Sequence, residues 1–257
     1  MDAHSALQAE GNAWGGYMNS DDWMNNGQNM TIRYDFSFDK ISAPRPFSSL
    51  NGSNPKLLVE TNLAVTKYTG KKISEKTGSI GYSVLNVVFM DMRNNKLFIL
   101  NARIFDWRGF ATAYDSRVPG RPDSTRIGGG SLKEGVGRAG TSEMCVGTHF
   151  GPGTKYITLE SGSSTSLIAP WSDKQHFAYS ITRDHFENVI IRAINAWLDL
   201  NERDSVRYSS DPNDYILQGV GVGIEGTRLT PSTDHANKLE VSYIGDSLNI
   251  TMIPSSP

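Results

Sequence analysis

Tyr82-Ser83-Val84-Leu85-Asn86-Val87-Val88-Phe89-Met90-Asp91, then Met92-Arg93-Asn94-Asn95, then Lys96-Leu97-Phe98-Ile99-Leu100-Asn101-Ala102-Arg103-Ile104-Phe105-Asp106, reads as a β-hairpin. Both arms are strand-length and rich in β-branched and aromatic residues. Between them Arg93-Asn94-Asn95 supplies turn chemistry, because asparagine tolerates positive φ. Arms this continuously apolar belong in the middle of a sheet covered on both faces.

The same signal recurs outward from the hairpin. In residues 30–38, Ile32, Tyr34, Phe36 and Phe38 alternate with Thr31, Arg33, Asp35 and Ser37, the period of a half-buried strand. Residues 56–63, 156–160, 176–181, 215–225, 238–243 and 246–253 are further strands, and Gly245-Asp246 reads as a hairpin turn between the last two. Residues 1–29 show no steady period and read as irregular. One helix stands out. Thr182 is its N-cap and Asp184 suits its first turn. Phe186, Val189, Ile190, Ala193, Ile194, Trp197 and Leu198 then form one apolar stripe, which needs a sheet to lie on. It is expected on the convex, non-binding side.

Strands and helices do not alternate at βαβ spacing, no fixed repeat is visible, and no linker divides the chain. The expectation is a single domain over residues 1–257: mostly β, an antiparallel two-sheet β-sandwich of jelly-roll type with one long amphipathic helix. Residues 108–142 form a long Gly/Arg-rich loop, and long loops are usually functional or disordered.

Bulk properties exclude several classes. With 257 residues and a net charge of −2, the chain lacks the basic balance of a nucleic-acid binder. No apolar run approaches the ~20 residues of a membrane span, so no membrane insertion is expected. The single Cys145 allows no intrachain disulfide. Met1-Asp2-Ala3-His4-Ser5-Ala6 shows no export leader. The richness in Gly, Ser, Thr, Asn and aromatics favours a mature extracellular form over a cytoplasmic protein.

Catalytic signatures are sparse. Gly128-Gly129-Gly130 lacks the Lys-Ser/Thr of a P-loop, and Gly219-Val220-Gly221-Val222-Gly223 opens no helix. Glycines there suit a bulge or close packing. No G-x-S-x-G elbow exists. Cys145 and His149 lie four apart, but spacing alone does not make a nucleophile–base pair. His4, His149, His176, His185 and His235 never form an H-x-x-x-H pair, so zinc is poorly supported. Asp211, Asn213 and Asp214 cluster oxygens without the rest of an EF-hand, and read as a turn. Glycoside cleavage needs two carboxylates; Glu60, Asp91, Asp106, Glu160, Glu225 and Glu240 lie on or near strands.

Sugar binding is better served. A glycan is gripped by exposed aromatics beside amides, carboxylates and arginines. Trp14, Tyr17 and Trp23 fall in an amide-rich N-terminal stretch. Asp106-Trp107-Arg108 lies at the end of a strand and the mouth of the long loop. The expected ligand site is Asp106, Trp107 and Arg108 facing the loop, with Trp14, Tyr17 or Trp23 as another wall. Trp171 is a weaker candidate. Arginines in the loop would also suit an acidic polysaccharide, although a solvated loop explains them as well.

Together, the strand at 30–38, the hairpin at 82–105, the run at 215–225 and the closing strands at 239–243 and 248–253 resemble jelly-roll carbohydrate-binding modules and related polysaccharide-active β-sandwiches. The resemblance implies a polysaccharide or oligosaccharide partner. It also implies a structural calcium between first and last strands, with Glu10 and Asp246 as the analogous ligands. Three functions stay open: a non-catalytic binding module, a glycan-cleaving hydrolase or lyase, and a structural or adhesive surface or viral protein.

Overall fold

A computed structural model describes residues 6–10, 13–19, 29–69, 79–106, 135–139, 143–151, 154–165, 171–201, 207–228 and 239–255. The protein is mostly β, with two six-stranded sheets. The strands are β1 Ala6–Glu10, β2 Ala13–Asn19, β3 Asn29–Ser37, β4 Lys56–Tyr68, β5 Ser79–Asp91, β6 Lys96–Asp106, β7 Gly135–Ala139, β8 Glu143–His149, β9 Thr158–Leu159, β10 Trp171–Thr182, β11 Tyr215–Arg228 and β12 Glu240–Ile253. The first sheet, A, runs β1-β2-β12-β4-β10-β9; the second, B, runs β3-β11-β5-β6-β8-β7.

The hairpin at the centre of the sequence is β5–β6, and Asn95 takes a φ of 51° in its turn. Its closing residue, Asp91, is fully buried. That carboxylate accepts from the Arg93 and Asn94 backbone N–H groups, the Asn94 amide and the Ser209 backbone N–H. The turn is thereby tied to the segment that follows the helix.

Several sequence expectations are corrected. The N-terminal stretch read as irregular contains the β1–β2 hairpin. Two strands, β7 and β8, were missed because glycines and short length hide them. Where the sequence suggested two strands, Glu240–Ile253 forms one: Gly245 continues it, and an irregularity between Asp246 and Asn249, with Ser247 at a φ of 55°, takes up the kink. Pairing is antiparallel throughout the described ladders except β6–β8, which is parallel. That geometry requires a crossover.

The helix, α1, spans residues 183–201. Thr182 Oγ1 accepts from the His185 N–H at 3.2 Å, as the cap expectation required. Phe186–Ile191 is wound as a π-helix, and Phe186, Ile190 and Ile191 are all buried there. Phe186 stacks on Phe47 at 4.2 Å and meets Phe89 and Tyr215 edge-on at 5.0 and 4.9 Å. The stripe therefore joins the core shared by both sheets instead of coating the outside of one.

Candidate functional site

Strand alternation divides sheet B into two faces. Along β6, Phe98, Leu100, Ala102 and Ile104 enter the core, so Ile99, Asn101 and Arg103 point to the opposite side. Along β5, Leu85, Val87 and Phe89 enter the core and Val84 and Asn86 face away. The register sets Asn86 beside Asn101 and Val84 beside Arg103. On one flank β11 contributes Gly221 and Gly223 to these rows; on the other β8 contributes Gly147 and His149. Glycine at 221, 223 and 147 carries no side chain beside Val84, Asn86, Asn101 and Arg103, all four of which are buried.

The next row brings Glu225, Tyr82 and Asp106 together on three adjacent strands. The Tyr82 hydroxyl donates to Glu225 Oε2. The Arg103 guanidinium lies over the Tyr82 ring, 4.9 Å from its centroid. Cys145 sits nearby: burial pushes its thiol up to about 11, Arg103 opposes that shift and Glu225 adds to it. Arg103 and Glu225 thus bring opposite charges to one neighbourhood. Cys145 and His149 share a face but stand four residues apart on one strand, roughly 13 Å. They form no nucleophile–base pair.

The two asparagines are the unusual feature. Asn86 is 2% exposed and Asn101 8%. Neither Oδ1 has a hydrogen-bond partner among the described residues. A buried acceptor left unpaired costs about 1–3 kcal/mol, so two neighbours in that state need an explanation.

The residues singled out from sequence are dispersed. Trp14, expected as an exposed platform, is a core residue at 7% exposure, packed 5.5 Å from Tyr243. Tyr17 lies three residues along the same strand, hence on the other face, where its hydroxyl donates to Glu240 at 2.7 Å. Trp14 and Tyr17 therefore cannot build one wall. Asp106 is in β6, while Trp107, Arg108 and Trp23 lie outside the described residues. Trp171 is a packing residue, donating to the Leu63 carbonyl at 3.2 Å.

Glu10 and Asp246 both pair with Ala13, on a row of sheet A two strand spacings or roughly 10 Å apart. Asp246 holds the Lys174 ammonium at 2.5 Å and the Asn62 amide at 2.8 Å, and these hydrogen bonds lower its pKa. A carboxylate committed to an ammonium does not fit a calcium site. Among the described residues no three His, Cys, Asp or Glu side chains are grouped to hold a metal. The other acids are engaged: Glu160 is lowered by the Ser180 hydroxyl and then by Lys56, and Glu240 pairs with Lys67 at 3.0 Å. A cleft at the start of α1, between Ser53, Asn54, Arg183, Asp184 and Glu187, is already served by the Thr182 and Asn54 caps.

No protein-family model matches the chain, and no curated protein matches it. Among solved structures it is similar to the family 11 xylanase from Neocallimastix patriciarum, with 11% identity over 96% of this chain and 84% of that one and a TM-score of 0.36. A loop-swap mutant of Xyn11A from that organism matches with the same identity and TM-score, covering 85% of its chain. At this TM-score the likeness says nothing about activity.

Proposed function

We propose that the face of sheet B opposite the core binds a polysaccharide or oligosaccharide. The observation that supports the reading is the half-buried pair Tyr82 and Glu225 on that face, an aromatic ring whose hydroxyl donates to a carboxylate. A sugar offers such a pair a dense set of hydroxyls on a ring with apolar C–H faces. Partly exposed Tyr82 adds aromatic surface, and Glu225 and Arg103 add an acceptor and donors on the same face. A role in handling glycan polymers would place the protein outside the cell.

Cleavage is the second reading, favoured by one observation. Glu225 and Asp106 flank Tyr82 on a single row, so their backbones stand two strand spacings or roughly 10 Å apart. Paired carboxylates of a glycosidase act across about 5–10 Å.

A glycan array followed by product analysis on every bound glycan tests both. Binding without products, lost in Tyr82→Ala, supports a binding module. Turnover that vanishes in Glu225→Gln supports cleavage. No binding to any glycan overturns both.

A further inference from the structure

We infer that β3 is a docking edge for a second copy of this chain, joining two B sheets by antiparallel β3–β3 pairing about a two-fold axis at Tyr34. The inference does not depend on the glycan role proposed above. Three observations lead to it.

The first is the contrast among the sheet edges. Four strands end the two sheets: β1, β9, β7 and β3. The first three are short, with five, two and five residues. β3 has nine, and its register with β11 runs unbroken from Asn29 to Ser37. Short length, lysine, proline and bulges are what normally protect an edge from another chain. Asn29-Met30-Thr31-Ile32-Arg33-Tyr34-Asp35-Phe36-Ser37 has none of them. Among the described residues only β11 pairs with it.

The second is the direction of the backbone. The Phe38 N–H donates to the Gln218 carbonyl at 2.9 Å, so the even-numbered residues of this stretch turn their peptide groups to β11. In an antiparallel ladder the alternate residues turn theirs the other way. Thr31, Arg33, Asp35 and Ser37 therefore offer N–H and C=O groups along the open side. A two-fold at Tyr34 sets Arg33 against the partner's Asp35 and Thr31 against the partner's Ser37, and the reverse. These four pairs make about eight main-chain hydrogen bonds.

The third is the company this register keeps. Opposite charges meet twice across the axis, Arg33 with the partner's Asp35 in both directions. The neighbouring registers that use the same peptide groups centre on Arg33 or on Asp35, and each sets that residue against its own copy, like charge on like. On the other face, Phe36 shares a row with the core residue Val220 yet is 51% exposed. The register at Tyr34 brings the partner's Ile32 opposite Phe36, in the closer, non-hydrogen-bonded kind of pair.

Analytical ultracentrifugation of the full chain from about 1 to about 500 µM tests this. The expected result is a mass that climbs with concentration from 28.3 kDa towards twice that value. Arg33→Asp and Asp35→Arg each place like charges across the axis and should weaken the dimer by about 10-fold or more. Mixed in equal amounts, the two variants are complementary at both charged pairs and should recover the parent's dimerisation. Ser37→Pro removes an outward N–H and no bond to β11, so it should cause the same loss by a second route. A parent chain that stays at 28.3 kDa throughout overturns the inference. A dimer that ignores both charge reversals uses another surface and overturns it as well. So does a mixture that stays monomeric while each variant melts where the parent does.

Discussion

Gly245 lies against the indole of Trp14: a Cβ at that position would stand 2.1 Å from Trp14 Cζ2 and 2.3 Å from Cη2. The two residues are register partners on β12 and β2, so the ring has nowhere to slide without opening the ladder. Gly245→Ala should destabilise the fold by about 1–3 kcal/mol, as overpacking does. Thermal unfolding measures it. Combining it with Trp14→Ala should remove most of the extra penalty; a penalty that persists would show the clash is not with the indole.

Phe186 anchors α1 to both Phe47 and the core face of sheet B. Phe186→Ala should cost about 3–5 kcal/mol in urea unfolding. Leu200, 84% exposed on the same helix, is the control, and Leu200→Ala should stay within about 0.5 kcal/mol. Equal effects at the two positions would contradict the packing described.

Asp246 has a pKa lowered from 3.8 by the Lys174 hydrogen bond first and Asn62 second. A carboxylate depressed in the folded state stabilises above its unfolded value and loses that contribution as pH falls through the folded value. Lys174→Met should therefore lower the melting temperature slightly at pH 7, by no more than about 1 kcal/mol in stability for so accessible a pair. The difference from the parent should close below pH 3.8. A difference that widens on acidification would reverse the assignment.

Cys145, with its thiol near 11 against an ordinary 9.0, should react with iodoacetamide about 100-fold more slowly at neutral pH than an unshifted thiol. The rate should climb about tenfold per pH unit until that value is reached. A fast reaction at pH 7 would mean an activated thiolate and reopen the nucleophile reading.

Where chemistry and neighbourhood coincide along the chain, the sequence is readable. The β5–β6 hairpin, its Asn95 turn and the Thr182 cap are local, and each is where its residues place it. Gly245-Asp246 misled because a glycine that makes room for an indole looks the same as a glycine that turns a chain. The site is less legible for a related reason. Tyr82 and Glu225 are 143 positions apart and meet only through register. Asn86 and Asn101 are each the lone amide in an arm of one hairpin, and their burial follows only from the register. A tryptophan in an amide-rich stretch has the same composition whether it is exposed or packed, and Trp14 is packed in the core.

Sheet order has a consequence for how the chain is made. The last two strands synthesised among the twelve described, β11 and β12, do not add to the edges; each fills a slot, β11 between β3 and β5, β12 between β2 and β4. A chain leaving the ribosome therefore carries four strands with open sides, β2, β3, β4 and β5, until β11 and β12 have emerged. The β5–β6 hairpin can zip early, but neither sheet can close before β11 and β12 have emerged. Exposure of unpaired strand edges over that interval invites misassociation, so yield in a heterologous host should depend on translation speed and chaperone supply more than on the stability of the finished fold.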